Sequence, residues 1–289
     1  MKVVYYPGCT LPTKASNFES SFLAVAEKLD IEIVEIEGWT CCGAVFPLVT
    51  DNIMNLVAPA RNLAKARKLG DKVTTLCAFC YNVLKRTNRV IREDKEKREK
   101  LNLFLEEDYE GDLKIVHPLE ILRDDIGFEN LKIEKALDLK VAPYYGCKLL
   151  RPFDEIGMDS PEAPTIFEDF LRAVGCEPVI FPQRTKCCGS YLSVSSTDVA
   201  IGCSDSILNS ALENGADAMA LTCPLCLFNL ELAQKSREGP IKEIPVFYFT
   251  ELLGLALGLE IKIEKHFSDP LPLLESKNIC SCESIANAD

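Results

Sequence analysis

The chain has 289 residues, 32 Lys and Arg against 44 Asp and Glu, a formal net charge of −12 and 47% hydrophobic residues. This balance excludes a disordered chain. The acidity argues against duplex nucleic acid as the main partner, because phosphate contacts need basic charge. The most apolar stretch, residues 244–259, is shorter than the roughly 18 residues of a membrane span and carries Glu251. The opening MKVVYYPGC lacks a signal-peptide layout, so a cytoplasmic protein of about two domains is expected.

Short β-branched and apolar runs predict strands at 3–6, 31–36, 72–76 and 114–116, with helical spacing at 18–29, 53–69, 81 to about 105, and 119–123. The run KRTNRVIREDKEKREK, residues 85–100, sets eight basic against four acidic residues on one of these helices. It reads as a solvated face first and a partner-docking surface second. Further strands are predicted at 139–144, 178–181, 218–221 and 245–248, and helices at 165–174, 198–214, 228–235 and 250–258. Strands that alternate with helices imply a parallel sheet covered by helices on both faces.

Ten of the 14 cysteines form two matching sets. Cys9 is followed by Cys41-Cys42-Gly43 and then Cys77-Ala-Phe-Cys80. Cys147 is followed by Cys187-Cys188-Gly189 and then Cys223-Pro-Leu-Cys226. The copies are offset by 146 residues at the last four cysteines and by 138 at the first, so an insertion lies between Cys147 and Cys187. The stretch RPFDEIGMDSPEAP, 151–164, is its expected place. Flanking residues repeat too: YYPGC against YYGC, and LCAFCYNVL against TCPLCLFNL.

The expected fold class is therefore α/β, two pseudo-symmetric Rossmann-like domains with parallel sheets and the sites at the carboxyl ends of the strands. Each cysteine motif begins near a predicted strand end, where open α/β sheets bind ligands. The expected division is 1–135, 136–265 and a C-terminal tail, 266–289. Cys176 and Cys203 have no counterparts in the first half and read as small core hydrophobes. Cys280 and Cys282 lie in the polar tail KNICSCESIANAD, expected to be poorly ordered, with a further metal site there as the sharper alternative.

Fourteen cysteines in a reducing compartment point to metal or redox chemistry more than to disulfides. Structural zinc and a cubane cluster each take four ligands, whereas each half offers five. Five thiols fit a larger or unusual iron–sulfur centre, or a four-ligand cluster with one spare thiol, and the spacing leaves both open. Gly8, Gly43, Gly146 and Gly189 beside the cysteines would let the backbone turn sharply around a bulky inorganic group.

The doubled C-x31–39-CCG-x33-C-x2-C pattern over roughly residues 1–260 resembles the CCG-domain, cysteine-rich family, and within it the B subunits of heterodisulfide reductases of methanogenic archaea. The resemblance implies two noncubane [4Fe–4S] clusters, one held by Cys9, Cys41, Cys42, Cys77 and Cys80, the other by Cys147, Cys187, Cys188, Cys223 and Cys226. It implies an oxidoreductase acting on a sulfur group, the mixed disulfide of coenzyme M and coenzyme B being reduced to two thiols. As partners it implies the family's flavin-bearing A component and its iron–sulfur C component, with a hydrogenase or formate dehydrogenase in larger complexes. The chain lacks a ferredoxin-type C-x2-C-x2-C-x3-C-P run, so electrons would arrive from another protein of the complex.

His117 and Tyr248, matched through KIVHPLEIL and PVFYFTELL, are candidate catalytic proton donors at the cluster rim. Lys14, Lys148, Arg151, Arg184 and Lys186 lie near motif cysteines in the sequence and are candidates to hold the anionic groups of the implied substrate. Relatives that serve lactate, glycolate or glycerol-3-phosphate oxidising complexes share the repeat and remain an alternative. A metal-stabilised scaffold without catalysis is another.

Overall fold

The computed structural model describes residues 1–44, 52–237 and 243–279. The first half runs β1 (Lys2–Tyr5), α1 (Ser16–Lys28), β2 (Glu32–Glu35), α2 (Val57–Leu69), β3 (Lys72–Thr74), α3 (Ala78–Glu93), α4 (Lys95–Leu105), β4 (Lys114–Val116) and α5 (Pro118–Glu120). The second half repeats the course. It runs β5 (Lys140–Tyr144), α6 (Phe153–Ile156), α7 (Ile166–Ala173), β6 (Glu177–Pro178), α8 (Leu192–Ser195), α9 (Thr197–Glu213), β7 (Ala218–Leu221), α10 (Pro224–Lys235), β8 (Val246–Tyr248) and α11 (Phe249–Ala256). A last helix, α12 (Leu271–Ser276), follows.

The architecture is α/β with two four-stranded, all-parallel sheets ordered β2-β1-β3-β4 and β6-β5-β7-β8. Val3 pairs with Ile33, Val4 with Val73, and Val73 with Ile115. Val141 pairs with Ala218, and Ala220 with Phe247. Central strands covered on both faces need apolar residues at every position, and β7 is buried along its whole length. In each sheet the chain leaves the first strand to one side and returns to the other. That reversal opens a crevice between the loops after β1 and β3, and between those after β5 and β7.

Several predicted boundaries shift for local reasons. The helix expected over 81–105 begins at Ala78 and breaks at Asp94, an extended residue (φ −107°, ψ 96°) whose carboxylate caps α4 through the Lys97 N–H. The charged run 85–100 is thus split over two helices. Its ion pairs are mostly local, such as Arg89 with Glu93 at 2.8 Å, the kind worth about 0–1 kcal/mol. Between Cys147 and α7 the short α6 has no counterpart between Cys9 and α1, which fits an insertion in 151–164. Cys176 is buried, as a core residue should be, while Cys203 is half-buried on α9. Cys280 and Cys282 lie outside the described residues.

The two halves interlock through their outer helices. α1 packs on α11, where Phe18 stacks flat on Tyr248 with ring centroids 4.0 Å apart and an interplanar angle of 4°. Ser21 and Thr250 share a hydrogen bond of 2.6 Å at the same contact. Reciprocally, α5 lies against α7, and Phe128 meets Phe170 edge-on. Each half's last helix therefore covers the other half's first.

Residues 266–279 contribute to this junction. The His266 side chain is 2% exposed and lies between Glu251, at 3.1 Å, and Glu231, at 3.4 Å. Asn17 from α1 donates to Glu251 at 2.9 Å. Burial opposes a charge on this imidazole, but the carboxylates of Glu251 and Glu231 outweigh it and push the pKa up to about 10. A histidine whose folded pKa is raised stabilises fully below its unfolded value of about 6.5, and that contribution disappears as pH climbs through the folded value. Wild-type melting temperature should therefore fall more steeply between pH 7 and 10 than that of His266→Gln. Parallel pH profiles by thermal denaturation would show His266 to be neutral in the fold.

Candidate metal centre: two facing sets of cysteines

Three loops in each half deliver the thiols. Cys9 follows β1, Cys41 and Cys42 follow β2, and Cys77 follows β3. Cys77 is extended (φ −76°, ψ 118°) and is the N-cap of α3, so Cys80 stands in the first turn of that helix. Cys147, Cys187 and Cys188 occupy the matching places in the second half. Cys223 is the N-cap of α10, with Pro224 at the first helical position, where a missing N–H costs nothing. The positive ends of α3 and α10 thus face the sulfurs and favour thiolates there.

The sulfurs lie in touching pairs. Cys9 and Cys41 are 3.8 Å apart, Cys42 and Cys80 3.4 Å, and Cys188 and Cys226 3.5 Å. Cys77 of the first set and Cys223 of the second are close enough to perturb each other's thiols, so the two sets meet. Hydrogen bonds from Cys41, Cys223 and Cys147, respectively, hold Cys42, Cys77 and Cys187 below the usual thiol range. Cys41 and Cys147 are pushed up by their hydrogen bonds to Cys42 and Cys187 and by burial.

Among the described residues no three donors ring one point as they would a single metal ion. The donor set nonetheless fits a larger thiophilic group. All five thiols of the first half, with Pro7, Thr10, Leu11, Ala44, Phe79 and Tyr191, line one cavity, and soft sulfur ligands select iron–sulfur centres. Backbone space is reserved as well. Gly8 has φ +75°, and a Cβ there would stand 3.1 Å from the Cys80 sulfur. Gly146 has φ +65° and would meet the Cys226 sulfur at 3.4 Å.

His117 and Tyr248 do not stand at an open rim, contrary to the sequence expectation. Both are fully buried at strand ends because the opposite half covers them: Phe249 lies 5.7 Å from the His117 ring, and Phe18 stacks on Tyr248. The His117 Nδ1 accepts the Leu119 N–H at 3.2 Å, while its Nε2 faces the Leu76 carbonyl at 3.3 Å. Burial drives its pKa down to about 3, so the ring is neutral. Both residues present their backbone N–H to a glutamate in the following helix, Glu120 at 2.7 Å and Glu251 at 2.8 Å. Their geometry is that of strand-end caps bonded to backbone.

The basic candidates divide. Arg184 is committed to the buried Glu168 at 3.3 Å and to the Phe181 carbonyl, and Arg151 to the carbonyls of Thr185 and Pro161, so both brace loops. Lys14 and Lys186 are exposed. Lys148 is half-buried, and its positive charge helps to depress the Cys187 thiol.

Residues without a signal in the cysteine pattern also shape the site. Tyr191, 42% exposed, comes from the second half yet lines the first cavity, edge-on to Phe79 at 5.7 Å. Asn82 on α3 donates to the carbonyls of Lys148 and Arg151, both at 2.7 Å, and so ties the Cys147 loop to the first half. Asn229 touches Cys188. The two asparagines are visible in the repeated segments LCAFCYNVL and TCPLCLFNL, but one step out of register, so the repeat itself does not flag them.

The family model of the cysteine-rich domain CCG matches residues 3–85 and 141–231, the two segments that carry these sites. The chain belongs to the CCG family of cysteine-rich domains. It is 34% identical over 265 residues to the membrane anchor of the 8-methylmenaquinol:fumarate reductase of Wolinella succinogenes, covering 89% of this chain and 93% of that one. It is 31% identical over 280 residues to the B component of the ferredoxin/F420H2-dependent CoB-CoM heterodisulfide reductase of Methanosarcina acetivorans, covering 92% and 93%. Among solved structures, a hypothetical protein from Helicobacter pylori superposes with a TM-score of 0.73 at 14% identity, over 90% of this chain and 49% of that one. The chain therefore spans about half of that structure, and the likeness concerns the fold alone. Among the described residues of this CCG protein, no helix is long and apolar enough to cross a membrane.

Changing Gly8 to Ala adds a left-handed backbone penalty of about 1–2 kcal/mol and forces the Cys80 sulfur outward. Iron bound per chain, determined chemically after anaerobic purification, should fall further for Gly8→Ala than for Gly146→Ala, whose added methyl has more room. Equal iron contents would separate these glycines from the binding of the group.

Proposed function

We propose that this CCG protein is the catalytic component of a disulfide-reducing complex, acting on the coenzyme M–coenzyme B mixed disulfide with a noncubane [4Fe–4S] cluster in each cysteine set. The observation that supports this reading is the nearness of Cys77 to Cys223, whose thiols perturb each other across the two quintets. Splitting a disulfide takes two electrons, and a single small molecule can reach two facing one-electron centres at once. When bound, each iron–sulfur group would supply an electron and a Lewis-acidic iron for the departing thiolate.

The chain's own groups do the rest. The N-termini of α3 and α10 stabilise negative charge on the sulfurs. Tyr191 and Phe79 form an aromatic wall that limits water at the first set. Lys148 stands beside Cys147 and Cys187, where it would hold an anionic group of the substrate, with Lys14 and Lys186 as exposed outer contacts. Arg151 and Arg184 support the loops, and His117 and Tyr248 fix strand ends. A flavin protein and an iron–sulfur protein, the A and C components of the heterodisulfide reductases, would deliver electrons, with a hydrogenase or formate dehydrogenase upstream.

A second reading is favoured by the likeness to the fumarate reductase anchor: a CCG protein that passes electrons within a quinol-linked complex and reduces no disulfide. Anaerobic purification should yield about eight irons and matching sulfide per chain, two four-iron clusters. Reduced viologen with the mixed disulfide should then give two thiols per turnover. Full iron without thiol release supports the quinol-linked reading, and zinc without sulfide supports a scaffold. Lys148→Ala should raise KM for the mixed disulfide about tenfold with a smaller change in kcat, the scale of one charged hydrogen bond.

A further inference from the structure

The two cysteine sets match in sequence but differ in what surrounds their sulfurs. Asn229 lies on α10, three residues after Cys226, and is 1% exposed. Its Nδ2 donates to the Cys188 sulfur at 3.4 Å, the Cys188 carbonyl at 3.2 Å and the Ser190 carbonyl at 2.9 Å. Its Oδ1 is buried with no hydrogen-bond partner. The amide orientation is fixed by this arrangement, because the reverse would aim a carbonyl oxygen at three acceptors. Ser204 from α9 holds the same Cys188 carbonyl at 3.0 Å, so the backbone that carries this sulfur is gripped from two helices.

The repeat offset puts Val83 at the matching place in the first half, three residues after Cys80 and 0% exposed. Valine has no polar hydrogen to offer. Backbone N–H groups approach sulfurs in both halves, from Ala44 to Cys42 and from Ser190 to Cys188, and so do not distinguish the sites. The side-chain hydroxyl of Thr10 beside Cys9 is exposed, with a 3.8 Å separation. A buried side-chain N–H on a ligand sulfur is thus particular to the second set among the described residues.

A hydrogen bond to a ligating sulfur offsets negative charge, which is greatest in the reduced state, and so raises the reduction potential. We propose that Asn229 is a redox-tuning residue of the second site, its buried amide holding that site's potential above the value its five cysteines alone would set. The inference rests on the iron–sulfur reading of the quintets. It makes the two sites unequal partners, with Asn229 acting on the second and leaving the first untouched.

EPR-monitored redox titration of the loaded protein tests this without any turnover assay. Asn229→Leu, close in volume and lacking donors, should lower one of two midpoints so that the reduced-to-oxidised ratio at the wild-type midpoint drops about tenfold, or ~59 mV for a one-electron couple. The other midpoint should stay in place. Val83→Asn should raise that other midpoint and leave the first. In wild type transferred to deuterated buffer, the signal of one site should lose a further exchangeable proton coupling beyond the backbone N–H couplings common to both, a readout that stands if Asn229→Leu does not fold. Unmoved midpoints in a loaded Asn229→Leu, or no such coupling on either signal, overturn the tuning role while leaving the iron–sulfur reading intact. A wild-type protein that takes up no iron overturns both.

Discussion

Parallel strand pairing with a reversal of strand order is the constraint from which the site follows. Parallel strands all end on one side, so every loop that leaves a carboxyl end emerges on the same edge of its sheet. The order β2-β1-β3-β4 then parts the loops after β1 and β3, and the gap between them is where Cys9 faces Cys77. The helices that begin at Cys77 and Cys223 turn their positive ends into that gap. Thiols separated by tens of residues converge because the sheet leaves their loops nowhere else to go. The same rule, applied twice, builds both quintets.

The second determinant is the exchange of outer helices between halves. An isolated α/β half would leave the faces of α1 and α5 open, and the opposite half closes them with α11 and α7. The Phe18–Tyr248 stack and the His266 cluster belong to this seam rather than to either half. So does the grip of Asn82 on the Cys147 loop, which couples the position of one cysteine set to the helix that carries the other. Burial of His117 and Tyr248 has the same origin: they would edge a cleft in a single half and become interior in the interlocked pair.

Much of this was legible in the sequence because it is periodic. Strands such as 218–221 announce themselves as unbroken apolar runs, and the cysteine sets repeat at a constant offset. The break at Asp94 was not legible from helical spacing alone, since charged residues continue on both sides and only the local cap ends the helix. Strand order, and with it the crevice, has no local signature. The commitment of Arg151 to the Pro161 carbonyl depends on a loop with no counterpart in the first half, and that of Arg184 to Glu168 on a helix distant in sequence. Asn82 and Asn229 lie one step out of register between the repeated segments, so comparing the halves hides them unless their neighbours in space are known.

The interlocked halves also bear on how the two sites could diverge. In a symmetric dimer of identical chains, every substitution appears twice, and neither pocket can change without its twin. A single chain that contains both copies is released from that rule. The stretch around α6 is added on one side only, and Val83 and Asn229 fill equivalent positions with opposite chemistry. Covalent linkage frees the two repeated halves to differ, so that one pocket can be reshaped while the other keeps its form.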